Sequence, residues 1–416
     1  RTTDALAHVE ILRQTHPTDG ELDFLAGRCH EMLVDFQAAA ESYEAAIEHA
    51  PRRIEAWSRL ADIYQNNLDL KERARSLVDR LIDENSLDAD AWLSRARFLE
   101  QTGAIDEAAA DLDKARELDP DNAKILLAAA EIGYAKTRAA RLAGRDGLVE
   151  RTALETRQLI ERGLKLSPDN LDLRLRLVVL ESHFGDPQKA LSLLESILAE
   201  TPGESRSQIL LADLTIAQGD FVRAREAIAR LPRTPGSDAM RLFLEGRVAM
   251  ASEKWQEAAT VLTEARRYQS NSNGLAERTD LALAQCFGQL QNSDEELRAY
   301  RRILKYRGDS IPARLGMAAI HLRSDRLPDA IAEYQALRHL SSVRLALVRL
   351  LIIQNLRVPD VARNWHDVTK LLDEAREAQD NPTLETLLRA EMLMAREKYD
   401  EAEALKLGGG GQDADS

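Results

Sequence analysis

The sequence predicts an all-α fold, a solenoid of stacked antiparallel helix hairpins, and three observations carry that expectation. A unit of about 34 residues recurs roughly ten times along the chain. Within each unit apolar residues return at i, i+3, i+4 and i+7, which gives every helix one apolar face. Units close on a proline followed by turn-forming residues, as in Asp119-Pro120-Asp121-Asn122. The proline cannot continue a helix, and the Asp/Asn pair offers an N-cap to the next one. Two short helices cannot hide their apolar stripes alone, so neighbouring hairpins must cover them.

Taken from the start, residues 1–19 read as the second half of a preceding repeat, with Ala5, Val9, Leu12 and Pro17 at its marker positions. Residues 20–122 hold three regular units that begin near Gly20, Ile54 and Ala89. The second carries Trp57-x2-Leu60-Ala61-x2-Tyr64 and then Ala74-x3-Val78; the first places Gly27, Ala39, Tyr43, Ala46 and Pro51 at matching offsets, and the third Trp92, Ala96, Ala108, Leu112, Ala115 and Pro120. These residues resemble the tetratricopeptide repeat signature, with Ala61 in place of its small glycine. The resemblance implies a right-handed superhelix in which the first helix of each hairpin, helix A, lines a concave groove for a protein or peptide ligand.

Residues 123–170 make a fourth unit whose proline, Pro168, comes about 14 residues late, or two heptads. Its turn glycine, Gly144, is displaced by half of that relative to Gly103, Gly185 and Gly219, so both helices are expected to lengthen by about two turns into a protruding hairpin. From Lys136 to Arg151 this hairpin carries Lys136, Arg138, Arg141, Arg145 and Arg151 against Asp146 and Glu150. Such a tip is either a solvated helix end or a secondary docking surface for an acidic partner or a membrane, with Arg138, Arg141 and Arg145 as its contact residues.

Residues 171–340 contain five units, starting near Leu171, Ser205, Ala239, Glu277 and Ile311. Glu296 stands where a small residue is expected, which predicts looser packing, and the turn-rich Ser270–Gly274 segment reads as a flexible joint. Residues 341–407 are degenerate repeat-like helices, expected over Val343–Leu356, Asp360–Gln379 and Leu384–Ala395 with breaks at Pro359 and Pro382. Residues 408–416 read as a flexible Gly-rich acidic tail. The chain starts inside a repeat without Met and shows no polar closing helix, so a larger parent protein is expected.

The 416 residues carry a net charge of -14, which argues against general nucleic-acid binding. Eleven lysines stand against 45 arginines, a bias that fits a GC-rich bacterial genome and also suits carboxylate recognition. Cys29 and Cys286 lie many units apart and read as packing thiols. No run approaches the length of a membrane span. The eight histidines are scattered, with none at metal-ligand spacing, and no Gly-rich phosphate loop occurs, so neither catalytic residues nor a cofactor is expected. The compartment, bacterial cytoplasm or envelope, is left open, as is self-association through the uncapped ends.

The family resemblance further implies that positions 2, 5, 9 and 12 of helix A face the ligand. Position 5 is apolar in most units, including Phe24, Leu93, Leu127, Leu175, Ile209 and Phe243. Position 9 alternates in sign: Arg28, Asp62, Arg97, Glu131, then Asp213 and Arg247 further on. These charges either pair between neighbours (Arg28 with Asp62, Arg97 with Glu131, Asp213 with Arg247) or hold polar groups of a ligand. Partner-binding candidates are therefore Phe24, Arg28, Leu93, Arg97, Met240, Phe243, Arg247 and Met250, the two methionines supplying adaptable apolar surface. Chaperone-binding members of the family use Lys and Asn at positions 5 and 9. Phe24/Arg28, Ser58/Asp62 and Leu93/Arg97 depart from that pair and disfavour a chaperone-tail role. The expected function is a noncatalytic protein-interaction scaffold; the alternative is a substrate-selecting or regulatory arm of a larger enzyme or of a bacterial secretion or polysaccharide-export assembly.

Overall fold

The computed structural model describes residues 1–269 and 274–408. The expected joint, apart from Gly274, and residues 409–416 of the expected tail lie outside the described residues. The described residues form helical hairpins joined by short turns, and among them no strand occurs. The chain divides into two compact units, Arg1–Leu210 and Leu211–Ser416.

The first unit contains α1 (Thr2–Thr15), α2 (Gly20–Met32), α3 (Phe36–His49), α4 (Ile54–Asn66), α5 (Lys71–Asn85), α6 (Ala89–Gln101), α7 (Ile105–Leu118), α8 (Ala123–Leu142), α9 (Asp146–Leu166), α10 (Leu171–Phe184) and α11 (Pro187–Glu200). The helix α12 (Ser205–Ala217) contains the point of division. The second unit continues with α13 (Phe221–Ala229), α14 (Pro235–Ala251), α15 (Trp255–Arg267), α16 (Gly274–Gln289), α17 (Ser293–Tyr306), α18 (Ile311–Arg323), α19 (Leu327–Ala336), α20 (Ser341–Leu356), α21 (His366–Glu377), α22 (Pro382–Ala395) and α23 (Tyr399–Gly408). Within each unit successive helices pack in antiparallel pairs, and α4, α6, α8 and α10 also touch in series as helices A.

Local chemistry sets the ends of these helices. α3, α7, α9 and α11 stop just before Pro51, Pro120, Pro168 and Pro202, where continuation would lose a backbone donor and clash. Asn122 caps α8 by accepting from the Lys124 amide at 3.0 Å, and Asn170 caps α10 through Leu173 at 3.1 Å. The small positions are needed because helices meet there: Ala39, Ala46, Ala74, Ala108, Ala115 and Ala190 are all fully buried. A Cβ on Gly27 would stand 2.6 Å from the Tyr43 ring.

The hairpin turns share a left-handed residue whether or not glycine supplies it. Gly103, Gly144 and Gly219 have φ of 86°, 66° and 78°, while Val34, Glu253, Gln291 and Asp325 adopt φ of 53° to 64°. Gly185 departs from the expected set, with φ of -134°; a side chain there would strike the Glu181 carboxylate, so close approach explains that glycine. Left-handed backbone costs an ordinary residue about 1–2 kcal/mol, and more when the residue is β-branched. Val34 is 69% exposed and gives up little packing if removed. Val34→Gly is expected to stabilise the first unit by about 1 kcal/mol, part of the strain relief being offset by chain entropy. A denaturation midpoint that stays put or falls would contradict this.

Between hairpins, the fourth position of the repeat unit ties the turn. Trp57 Nε1 donates to the Pro51 carbonyl at 2.9 Å and Gln208 Nε2 to that of Pro202 at 3.0 Å. Where this position is acidic, a buried ion cluster forms instead. Asp23 meets Arg13 at 2.8 Å and His49 at 2.7 Å, and Asp280 meets Arg266 at 3.0 Å and Arg302 at 2.7 Å.

Two expectations change in the later helices. Glu296 does not sit in loose surroundings: it is buried, and Arg323 holds its carboxylate at 2.5 Å. The helix expected over Asp360–Gln379 begins only at His366, after a single turn at Asp360–Ala362. The Asn355 amide explains the delay. It donates to the Asn364 carbonyl and accepts from the Asn364 amide, both at 2.8 Å, which holds the intervening backbone out of the helix. Both cysteines are free thiols, and burial pushes Cys286 up to about 11.

Candidate functional site

The open faces of α6, α8, α10 and the start of α12 bound a cleft of about 700 Å³. Its floor is apolar. Leu127, Leu175 and Ile209, all at position 5, are joined there by Val179 and Leu210. All but Leu175 are only half-buried. Charged side chains form the walls, two pairs of them already neutralised: Arg176 with Glu131, and Arg206 with Asp172 at 2.6 Å. Arg97, Glu100 and Gln101 complete the rim. Among the described residues Arg97 has no ion-pair partner. Burial, reinforced by the neighbouring Glu131, raises the Glu100 carboxyl above its ordinary value despite Arg176 and Arg97 nearby.

Only Arg97 of the eight expected partner-binding residues lines this cleft. Phe24, Leu93 and Phe243 are buried, which corrects their expected role as exposed apolar anchors. The cause is an arginine lid from the following hairpin in two of the three cases: the Arg53 guanidinium lies 3.8 Å over the Phe24 ring, and Arg278 lies 4.8 Å over Phe243. Tyr43 closes Phe24 from another side, with ring centroids 5.7 Å apart. Arg28 is exposed and has no ion pair among the described residues, whereas Met240 and Met250 are half-buried. Of the three expected neighbour pairs only Arg247 with Asp213 forms, and Arg278 approaches the same carboxylate at 3.9 Å. Burial and the Arg278 charge both lower the Arg247 pKa. Glu131 pairs with Arg176 instead of Arg97.

The cleft-lining residues outside positions 2, 5, 9 and 12 are Arg176 and Leu210 at position 6 and Gln101 at position 13. A signal existed for the floor, since Leu127, Leu175 and Ile209 continue the position-5 series. It pointed equally to units where arginines cover that position.

The lengthened hairpin borders the same region. α8 has 20 residues and α9 has 21, against 13 and 14 for α6 and α7. The added part of α8 leans on the end of α10. The Tyr134 hydroxyl lies 2.8 Å from His183 Nδ1, and the Tyr134 and Phe184 rings meet edge to face at 5.5 Å. Arg141 is therefore not a freely moving side chain: it donates to the His183 carbonyl at 2.6 Å and stacks 4.4 Å above Phe184. Burial and the charges of Arg141 and Arg138 lower the His183 pKa. Arg138 and Arg145 are exposed, and neither has an ion-pair partner among the described residues.

The comparisons agree with this architecture of paired helices. Models of the tetratricopeptide repeat match residues 1–54, 58–123, 182–240 and 243–311. The chain belongs to the tetratricopeptide repeat family, whose repeats support a role in protein interaction. A tetratricopeptide repeat protein from Parabacteroides merdae superimposes with a TM-score of 0.50 at 17% identity, over 64% of this chain and 98% of that one. Yeast Tom70 superimposes with a TM-score of 0.53 at 13% identity, over 99% and 94%. Both show the fold. Mouse protein unc-45 homolog B is 31% identical over 102 residues, 23% of this chain and 10% of that protein, so the match spans a tenth of the relative's length. Among the described residues no helix is long and apolar enough to cross a membrane.

Proposed function

We propose that this chain is a noncatalytic scaffold that holds a partner polypeptide in the cleft of α6, α8, α10 and α12. The observation that carries the reading is a half-buried apolar floor contributed by successive helices A, walled by charges that are mostly paired within the protein. Such a floor gains by losing contact with water, at about 25 cal/mol per Å² of apolar surface covered. Side-by-side helices lie about 8–10 Å apart, which matches every third residue of an extended guest. Arg97 remains in the proposed contact set as a rim cation. Arg28 lies outside this cleft.

Peptides recovered on the full chain from a random display library provide the test. Ile209→Glu places a carboxylate on the floor without emptying a core, because Ile209 is only half-buried. Binding of the recovered peptides, read by fluorescence anisotropy, is expected to weaken about tenfold or more, a change of about 1.4 kcal/mol, with Tm unchanged. Equal affinity in the variant would remove the cleft from consideration.

A further inference from the structure

We infer that the partner segment is apolar where it meets the floor and acidic immediately beside it, the acidic part lying against the lengthened hairpin. This rests on the cleft reading above and adds the chemistry of the guest. The wall of the cleft formed by α8 does not end with its repeat. Leu127 and Glu131 line the cleft, and the same helical face continues through Tyr134 to Arg138 and Arg141. Arg141 is anchored on the last turn of α10, one turn beyond the cleft residue Val179. Arg138 and Arg141 thus form a cationic shoulder along one edge of the cleft, with Arg145 following in the turn before α9. They are not confined to the apex of the hairpin.

Charge accounting supports an acidic guest there. Lys136 is near Asp106 at 3.4 Å and Arg151 near Glu155 at 4.0 Å, while Arg138 and Arg145 have no ion pair among the described residues. Arg141 is held by a carbonyl and a ring and has no ion pair among the described residues. Around the cleft floor Arg176 and Arg206 are already neutralised, and the one unpaired cation of the lining, Arg97, stands on the rim beside Glu100, which would repel an acid. Acidic residues of a guest therefore belong on the shoulder and its apolar residues on the floor. Glu131 and Arg138 are two turns apart on α8, about 10 Å, a gap that about three extended residues cross. A lipid surface fits less well, since Arg141 is turned onto α10 and withdrawn from the tip.

Sequencing of the display-selected peptides tests this directly. Asp and Glu are expected to be enriched within about three to six residues of the apolar positions. Arg138→Glu combined with Arg145→Glu should weaken those peptides about tenfold or more at low salt, and selection on that variant should enrich Lys and Arg in their place. Peptides with no acidic bias, or equal binding to the variant, would overturn the inference. If Ile209→Glu abolishes binding while the charge reversal is silent, the cleft stands and the acidic flank falls. If the charge reversal abolishes binding and Ile209→Glu does not, both fall. Sedimentation of the wild-type chain with phosphatidylserine vesicles, together with an absence of acidic bias, would assign the shoulder to a lipid surface instead.

Discussion

Trp57→Ala is expected to destabilise the first unit by about 3–5 kcal/mol, as large aromatic truncations in packed cores do. The indole is fully buried in a cluster that runs from Phe24 to Ile132 and so spans several hairpins. Arg80 covers one ring face with its guanidinium 4.6 Å from the ring centre. The Nε1 bond to Pro51 joins the turn between α3 and α4 to the body of α4. That carbonyl would not be left bare, because Asn85 Nδ2 also donates to it at 3.1 Å. Most of the loss is therefore cavity and lost contact, with about 1 kcal/mol from the hydrogen bond. Trp57→Phe separates the two parts by restoring much of the volume without the donor. In a repeat array each hairpin leans on its neighbours, so hydrogen exchange should show protection falling first in α3 to α6. A loss below about 1 kcal/mol, or one that leaves those helices as protected as before, would refute the assignment.

Trp57 was legible because its place depends on local spacing, and the same holds for most of the fold. Proline stops, Asn and Asp caps, and alanines at contact points act within one hairpin or between adjacent ones, so a regular interval exposes them. The delay of Gly144 and Pro168 announced the lengths of α8 and α9 by the same arithmetic. The site was harder to read. Position 5 is apolar in nearly every unit, yet Phe24 and Phe243 are covered while Leu127 and Ile209 stay half open. Over the two phenylalanines an arginine from the next turn or hairpin folds down, as Arg53 and Arg278 do, whereas Leu93 and Leu175 are buried by packing alone. Side chains from neighbouring turns and helices decide that cover, and no periodic pattern encodes it. Asp23 and Asp280 were obscured for a related reason, since each becomes a buried acid only once helices on both sides deliver its basic partners. The delayed start of α21 depends on one side chain, Asn355, pairing with the backbone of Asn364.

Glu181→Ala is expected to cost the first unit about 3 kcal/mol and to remove a specific acid sensitivity. The carboxylate is 2% exposed and joins three helices: Arg157 of α9 donates at 2.9 and 3.1 Å, Lys189 of α11 at 2.8 Å, and the Asp186 amide at 3.2 Å. Removing one partner of a buried pair costs about 3–5 kcal/mol. The lower end applies because Arg157 and Lys189 retain some water. Burial by itself would raise the Glu181 pKa, but the bonds from Arg157, Lys189 and the Asp186 amide outweigh it and hold the value at about 2. The unfolded chain, with an ordinary carboxyl, takes up its proton at a higher pH than the folded one. Protonation therefore favours unfolding, and this contribution is complete above the ordinary carboxylate range and disappears as pH falls toward 2. Denaturation curves from neutral pH downward should show wild type and Glu181→Ala converging as the acid limit is approached. Parallel curves would show that the ion cluster does not carry the stability assigned to it. Because α10 supplies Leu175, Arg176 and Val179 to the cleft, the same variant should also loosen peptide binding at neutral pH, tying the rigidity of the cleft wall to a carboxylate that touches no guest.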